Sequence, residues 1–344
     1  MSNFIPVKRR YFLKTIAAAG LAVGLPPACL SRSTTAFGQE QTSRRAKIPV
    51  ILASDIGDDI DDTWALGFLL RSPELDLKLV VGEYGKPQYR AQLIAKFLQT
   101  VGHGHIPIGI GMDAEPKGEG PQAVWIKDYE LKSYPGKIHQ DGVQAIVDTI
   151  MHAPEPVTVI SIGPMPNVAA ALAREPRIAN HARLVGMYGS VRRGYDGSAK
   201  TSAEWNVKAD AKACQKGFTA PWDITITPLD TCGTVTLDGE RYRRVRDSKD
   251  RIASTIIENY QLWSKANKQP TDAAKTHSSV LFDTVAVYLA FNQELCKMER
   301  LGIKVTDDGL TQVDEHAKSM AVATDWKNLD GFRDLLVTRL TGSQ

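Results

Sequence analysis

Cysteine is scarce in this chain: Cys29, Cys214, Cys232 and Cys296 are the only four among 344 residues. The last three are too widely spaced for a metal-ligand pattern or a disulfide framework, so they are expected to be small buried apolar groups. Cys29 is a poor lipidation site, because Pro26 and Pro27 stand where such a site needs leucine and a small residue. Net charge is also small. The formal value is +3, and residues 1–38 carry five basic residues and no acidic one, so the remaining body is near −2. That leaves no basic field for nucleic acid or an anionic membrane. No long hydrophobic run is present either. The stretch Thr15 to Leu25 is shorter than the ~20 residues a spanning helix needs and stops at Pro26-Pro27, so no stable membrane insertion is expected. There is no internal repeat. What is present is ordinary: 43% hydrophobic and 24% charged residues, enough for a substantial core in one large α/β domain or two smaller ones.

The first 38 residues have a basic stretch, the short apolar stretch and a small-residue site at Ala36-Phe37-Gly38. This is the layout of a cleaved export signal. Arg9-Arg10-Tyr11-Phe12-Leu13-Lys14 matches the twin-arginine pattern, which implies export of the folded protein to the periplasm or the medium. Residues 39–46 read as a polar linker, and 47–344 as the folded domain.

From Lys47 onward, short apolar runs alternate with helical patterns. Strands are expected at Ile48 to Ala53, Leu77 to Gly82, Ile106 to Gly111, Val157 to Ile162, Ala182 to Tyr188 and Trp222 to Pro228. Helices are expected at Asp61 to Leu70, Tyr89 to Val101, Gly142 to His152, Asn167 to Arg174 and about Ala209 to Gly217. Such alternation implies βαβ units and a doubly wound, mainly parallel sheet with helices on both faces. Ligands in such folds lie beyond the carboxyl ends of the strands. The residues that follow each apolar run are therefore the ones to examine.

The first strand runs directly into Asp55-Ile56-Gly57-Asp58-Asp59-Ile60-Asp61-Asp62. Five carboxylates in eight residues repel one another unless something positive offsets them. Helix N-terminal amides offset part of that repulsion. A hard cation with oxygen ligands offsets more, and calcium accepts several carboxylates in flexible geometry. An EF-hand is excluded, because the run lacks the alternating ligands and closing glutamate of that loop. A phosphatase of the haloacid dehalogenase type would place Asp-x-Asp-x-Thr after the strand, and Ile56-Gly57 does not fit.

The run from Asp55 to Leu66 resembles the N-terminal signature of the inosine/uridine-preferring nucleoside hydrolases. Further segments resemble the family in order: Val157 to Ala169 its central strand and Gly-Pro turn, Ala203-Glu204-Trp205-Asn206 its Ala-Glu-Phe-Asn segment, Pro228-Leu229-Asp230 a later strand end, and Phe282 to Val287 its late His-Asp-Pro segment. The resemblance implies a Rossmann-like nucleoside hydrolase fold and calcium-dependent hydrolysis of a ribonucleoside or related N-riboside to ribose and free base. It implies Ca2+ on Asp55, Asp62 and Asp283 and on the main-chain carbonyl of Ile162, with Asp59 as an additional ligand and Asp61 toward the ribose hydroxyls. The division of labour among Asp59, Asp61 and Asp62 is left open by the expanded acidic run. Asp55 is the expected general base for water. Asn167, Glu204 and Asn206 are expected at the substrate, where negative charge and orientation favour an oxocarbenium-like transition state. Relatives commonly form dimers or tetramers, so a homo-oligomer is one expectation.

The pattern breaks at the base. Phe282 stands where many relatives carry a histidine that protonates the leaving group, and phenylalanine cannot donate a proton. Two readings stay open for it: stacking on the base, aided by Trp205, or simple core packing. His277 is a candidate acid from a nearby loop. Glu83 in Gly82-Glu83-Tyr84-Gly85 replaces an asparagine, Pro166 a threonine, and Ala53 an acidic residue. These departures keep a second function class in view, a non-hydrolytic calcium and sugar-binding protein on the same fold.

Overall fold

The computed structural model describes residues 46–270 and 272–342. The export signal expected over 1–38 and residues 39–45 of the linker lie outside the described residues. Among the described residues ten strands form the sheet: β1 (Ile48–Ser54), β2 (Leu75–Gly82), β3 (Ile108–Gly109), β4 (Ile138–His139), β5 (Val157–Ser161), β6 (Ala182–Met187), β7 (Ile224–Thr227), β8 (Cys296–Val305), β9 (Thr311–Val313) and β10 (Ser319–Trp326). Their order is β4-β3-β2-β1-β5-β6-β7-β10-β8-β9. Every pair from β4 across to β10 is parallel; only β10–β8 and β8–β9 are antiparallel. The expected mainly parallel, doubly wound sheet is the one observed.

The apolar runs are strands because both faces of the sheet are covered. In β1, Val50 and Leu52 enter one hydrophobic core, and Ile51 and Ala53 enter the other on the opposite face. Alternate residues of a strand point to opposite sides, so a two-sided burial demands an unbroken apolar run. Expected boundaries held for the helix Asp61–Leu70 and shifted elsewhere. The third strand shrinks to two paired residues, Ile108–Gly109. The single helix expected about Ala209 to Gly217 is two, Trp205–Ala209 and Ala211–Thr219, divided at Asp210, whose φ of −147° is extended. Asp210 caps the second by accepting from Ala213 N. The three final strands follow the helix Phe282–Leu289 and have no counterpart among the sequence expectations.

The order reverses between β1 and β5. β1 continues to one side through β2, β3 and β4, and β5 to the other through β6 and β7. Their loops leave in opposite directions, which opens a crevice at their carboxyl ends. Asp55 follows β1 there, and Ile162 and Gly163 follow β5. Cys214, Cys232 and Cys296 are buried and free.

Candidate active site

A cavity of about 560 Å³ lies in that crevice. One wall is acidic: Asp55, Asp58, Asp59, Asp61, Asp62, Glu204 and Asp283. The other is aromatic: Tyr84, Tyr195, Trp205, Trp263 and Phe282. Ile162, Asn206, Met187, Lys86 and Pro116 complete the lining.

The acidic wall is assembled from three helix starts and one strand end. Asp61 and Asp62 occupy the first turn of the helix Asp61–Leu70, and Asp283 the first turn of Phe282–Leu289. Free amides at helix starts favour negative charge. The amide of Asp283 donates to Asp61 Oδ2 at 3.2 Å, and Ser54 Oγ donates to Asp62 Oδ1 at 2.6 Å. Asp61, Asp62 and Asp283 are all buried and offer ligand oxygens within 4.8 Å of one another. Among the described residues no lysine or arginine forms an ion pair with any of the three. Burial, then repulsion from neighbouring aspartates, pushes all three well above the usual carboxylate range. A hard divalent cation fits this donor set: oxygen ligands only, buried, with uncompensated negative charge. When bound, such an ion would acidify a water and hold vicinal hydroxyls.

Asp55 lies beside this cluster, with its carboxylate against Gly163. Burial raises it to about 7, with Arg90 pulling the other way. Asp59 lines the cavity from an exposed position and accepts from the amide of Ile60. Asp58 stands apart from its neighbours because it pairs with Lys86 and Arg90.

Arg90 was not expected. It is fully buried, and all five of its donors are used. Nε donates to Gly85 O, Nη1 to the carbonyls of Asp55 and Ile56, and Nη2 to Asp58 and to Tyr84 O. One guanidinium thus ties the acidic loop to the Tyr84-Gly85-Lys86 loop, which is left-handed at all three residues. Gly57 also has positive φ, +106°, and a side chain there would strike Tyr89 and Leu93. The signal for Arg90 is in the sequence: it lies on the same helical face as Ile94 and Phe97, an apolar stripe where a lone arginine needs buried acceptors.

The residues expected at the sugar are placed unequally. Glu204 is buried and caps the helix Trp205–Ala209, accepting from the amides of Gly189, Asn206 and Val207. Burial raises its pKa to about 7, against those three amides. Asn206 Nδ2 donates to Met187 O at 3.0 Å and to Ile162 O at 3.3 Å, which orients the carbonyl expected at the metal. Asn167 does not line the cavity. Its Nδ2 donates to Gly82 O and its Oδ1 accepts from Met112 N, so it joins two strand ends. Glu83 lies behind the cavity, fully buried, with Oε2 accepting from Asn167 N and Oε1 unpartnered among the described residues. His277 is exposed, its Nδ1 near Ser278 O, and is not part of the lining. Phe282 is half-buried on the aromatic wall and meets Tyr195 edge to face. Tyr84, Tyr195 and Lys86 carry no spacing signal because they lie in loops, and Trp263 is indistinguishable in sequence from the other apolar residues of the helix Arg251–Ala266.

The family model for inosine-uridine preferring nucleoside hydrolases matches residues 50–334. The chain belongs to that family. An inosine-uridine preferring nucleoside hydrolase of Leishmania major is 28% identical over 277 residues, covering 76% of this chain and 84% of that protein. A non-specific ribonucleoside hydrolase of Klebsiella pneumoniae is 31% identical over 197 residues, 54% of this chain, and the match spans only 62% of that relative's length. Among solved structures, a plant nucleoside hydrolase superposes with a TM-score of 0.73 at 19% identity, covering 86% of this chain and 99% of that one. A purine-preferring ribonucleoside hydrolase from Gardnerella vaginalis gives 0.69 at 24%, covering 86% and 98%. At these identities the structures establish the fold.

Proposed function

We propose that this protein is an exported, calcium-dependent N-ribosyl hydrolase that cleaves ribonucleosides, or related N-ribosides, to ribose and free base. Family membership supports the reaction class, and the observation that carries it is one cavity joining a carboxylate cluster to an aromatic wall at the sheet's switch point. Asp61, Asp62 and Asp283 would hold the cation, with Ile162 O and Asp55 completing the protein's ligands. Calcium is the reading because the donors are all oxygen and several are carboxylates.

Asp55 takes the proton of the attacking water. Burial raises its pKa above that of an ordinary carboxylate in the metal-free protein, and a bound cation would pull it down again, leaving the carboxylate ionised and able to accept the proton. The developing positive charge on the ribosyl ring is stabilised by the surrounding carboxylates in a site of low dielectric. Glu204 and Asn206 fix the sugar, and the five aromatic rings receive a flat base. Twin-arginine export to the periplasm or medium rests on residues 9–14, and self-association on the family alone.

Purified mature protein is assayed with inosine, adenosine, guanosine, uridine and nicotinamide riboside, with calcium and after chelation. Release of reducing sugar that chelation abolishes and calcium restores is the expected result. Calcium and ribose binding without any turnover would establish the non-hydrolytic binding protein instead, a reading that Phe282 in place of an acid favours.

A further inference from the structure

A purine or pyrimidine is a poor leaving group as an anion, and its departure is eased by a proton delivered as the bond to C1′ breaks. Phe282 has none to give, His277 is turned to its own backbone away from the lining, and Lys86 is held by Asp58. Trp263 Nε1 donates to Asp58 O at 3.0 Å. Two cavity hydroxyls remain, those of Tyr84 and Tyr195. They differ in one respect. The amide of Trp205 donates to the Tyr195 oxygen at 2.9 Å, whereas among the described residues no donor reaches the Tyr84 oxygen.

We infer that Tyr195 is the general acid that protonates the departing base, with the Trp205 amide holding the phenolate it leaves behind. The inference rests on the hydrolase reading above. Because its oxygen already accepts from Trp205, the phenol's own hydrogen is directed away from that amide. The ring meets Phe282 edge to face at 6.3 Å between centroids. Phe282 directly precedes Asp283 of the carboxylate cluster, so Tyr195 stands on the aromatic wall next to the acidic one. Its loop is tied down: Tyr195 N donates to Ser202 Oγ, and Ser202 N to Ser190 Oγ. Burial raises the pKa of Tyr195, so the group is protonated at neutral pH, while the Trp205 amide acts in the opposite direction and favours the ionised form.

The step balances. The C1′–N bond breaks heterolytically, with its electron pair passing to the base. The Tyr195 proton goes to a ring nitrogen or carbonyl oxygen of the base, which departs neutral. Water adds to C1′ and gives its proton to Asp55; exchange with solvent then removes that proton from Asp55 and returns one to the phenolate, so no net proton is gained or lost.

The test compares Tyr195→Phe with the wild type on two substrates: the best natural nucleoside, and 4-nitrophenyl β-D-ribofuranoside, whose leaving group departs as a stable anion without help. The expected result is a ~10²-fold or greater loss of kcat on the nucleoside, with the nitrophenyl riboside within about 3-fold of wild type. An unchanged nucleoside rate, or an equal loss on both substrates, overturns the assignment. A wild-type protein that cleaves neither substrate sinks the hydrolase reading itself and the proposal with it.

Discussion

Gly163 offers the sharpest test of where Asp55 must stand. A methyl group added there would lie 2.4 Å from Asp55 Oδ1, 2.7 Å from its Cγ and 2.9 Å from its Cβ. Contacts between carbon and other heavy atoms settle near 3.5–4.0 Å, so Gly163→Ala must move the carboxylate by about 1 Å. Gly163 is not among the glycines with positive φ, so alanine adds no backbone strain. Asp55 cannot follow by shifting its main chain, because Arg90 grips its carbonyl. Overpacking of this kind costs about 1–3 kcal/mol, which lowers Tm by roughly 2–4 °C per kcal/mol in a chain of somewhat smaller size, well inside the ~5–15 kcal/mol that holds a domain together. The protein therefore folds. A misplacement of ~1 Å at the reacting groups, however, costs on the order of 10²-fold in rate. The assay is kcat on the best nucleoside at saturating calcium, beside a thermal melt, for Gly163→Ala, Asp55→Ala and the double variant. The two changes act on one carboxylate, so the double variant should be no slower than Asp55→Ala alone. A Gly163→Ala enzyme within about 3-fold of wild-type kcat would refute Asp55 as the base held at that position.

Further outcomes follow from the same geometry. Calcium at 100 times its Kd should stabilise the chelated protein by about 2.7 kcal/mol, read as a rise of several degrees in a thermal scan, and no rise at millimolar calcium would refute the metal site. In the chelated protein, Asp55 and Glu204 have folded pKa values of about 7, above the values of 3.8 and 4.5 for free groups. Their contribution to stability is therefore fully present below about pH 4 and lost as pH rises through about 7. Urea titrations of the chelated protein should show this fall, and calcium should blunt it. Arg90→Lys keeps the charge but cannot reach five acceptors, so a loss of at least ~2 kcal/mol and a higher calcium requirement are expected in melts with and without calcium. Glu204→Gln sets an amide donor among the three backbone N–H groups that the carboxylate accepts from, and should cost about 1–3 kcal/mol.

How legible the site was depended on what each residue does for the backbone. Asp55, Asp61 and Asp62 could be singled out because charge at a strand end and a helix start has a physical meaning independent of contacts, whereas Asp283 came only from the resemblance of Phe282 to Val287 to the family. The parallel sheet could be read because two-sided burial forces unbroken apolar runs, as in Ile51 to Ala53. The antiparallel close, β8 to β10, could not: Cys296–Val305 is largely half-exposed and charged, since one end of the sheet faces solvent. Nor could the break at Asp210, where local capping overrides a continuous helical pattern.

Asn167 shows the other limit. Asparagine in a Gly-Pro turn suits a sugar hydroxyl or a backbone amide equally well by chemistry, and only the neighbouring strands decide between them. Here Gly82 O and Met112 N take its donor and acceptor at 2.7 and 3.0 Å, which fastens the end of β2 to the segment after β3. Glu83 completes the same join from the next residue along. The substitution of glutamate at that position therefore changes what supports the cavity floor, while Tyr84, one residue on and left-handed, turns its ring into the aromatic wall against Trp205. One departure of this chain, Glu83, thus adjoins the loop that Arg90 clamps, and the same guanidinium that holds the Asp55 carbonyl also holds that of Tyr84. A change in the aromatic wall is in this way coupled mechanically to Asp55, the proposed base, and Arg90→Lys should disturb nucleoside selectivity as well as rate.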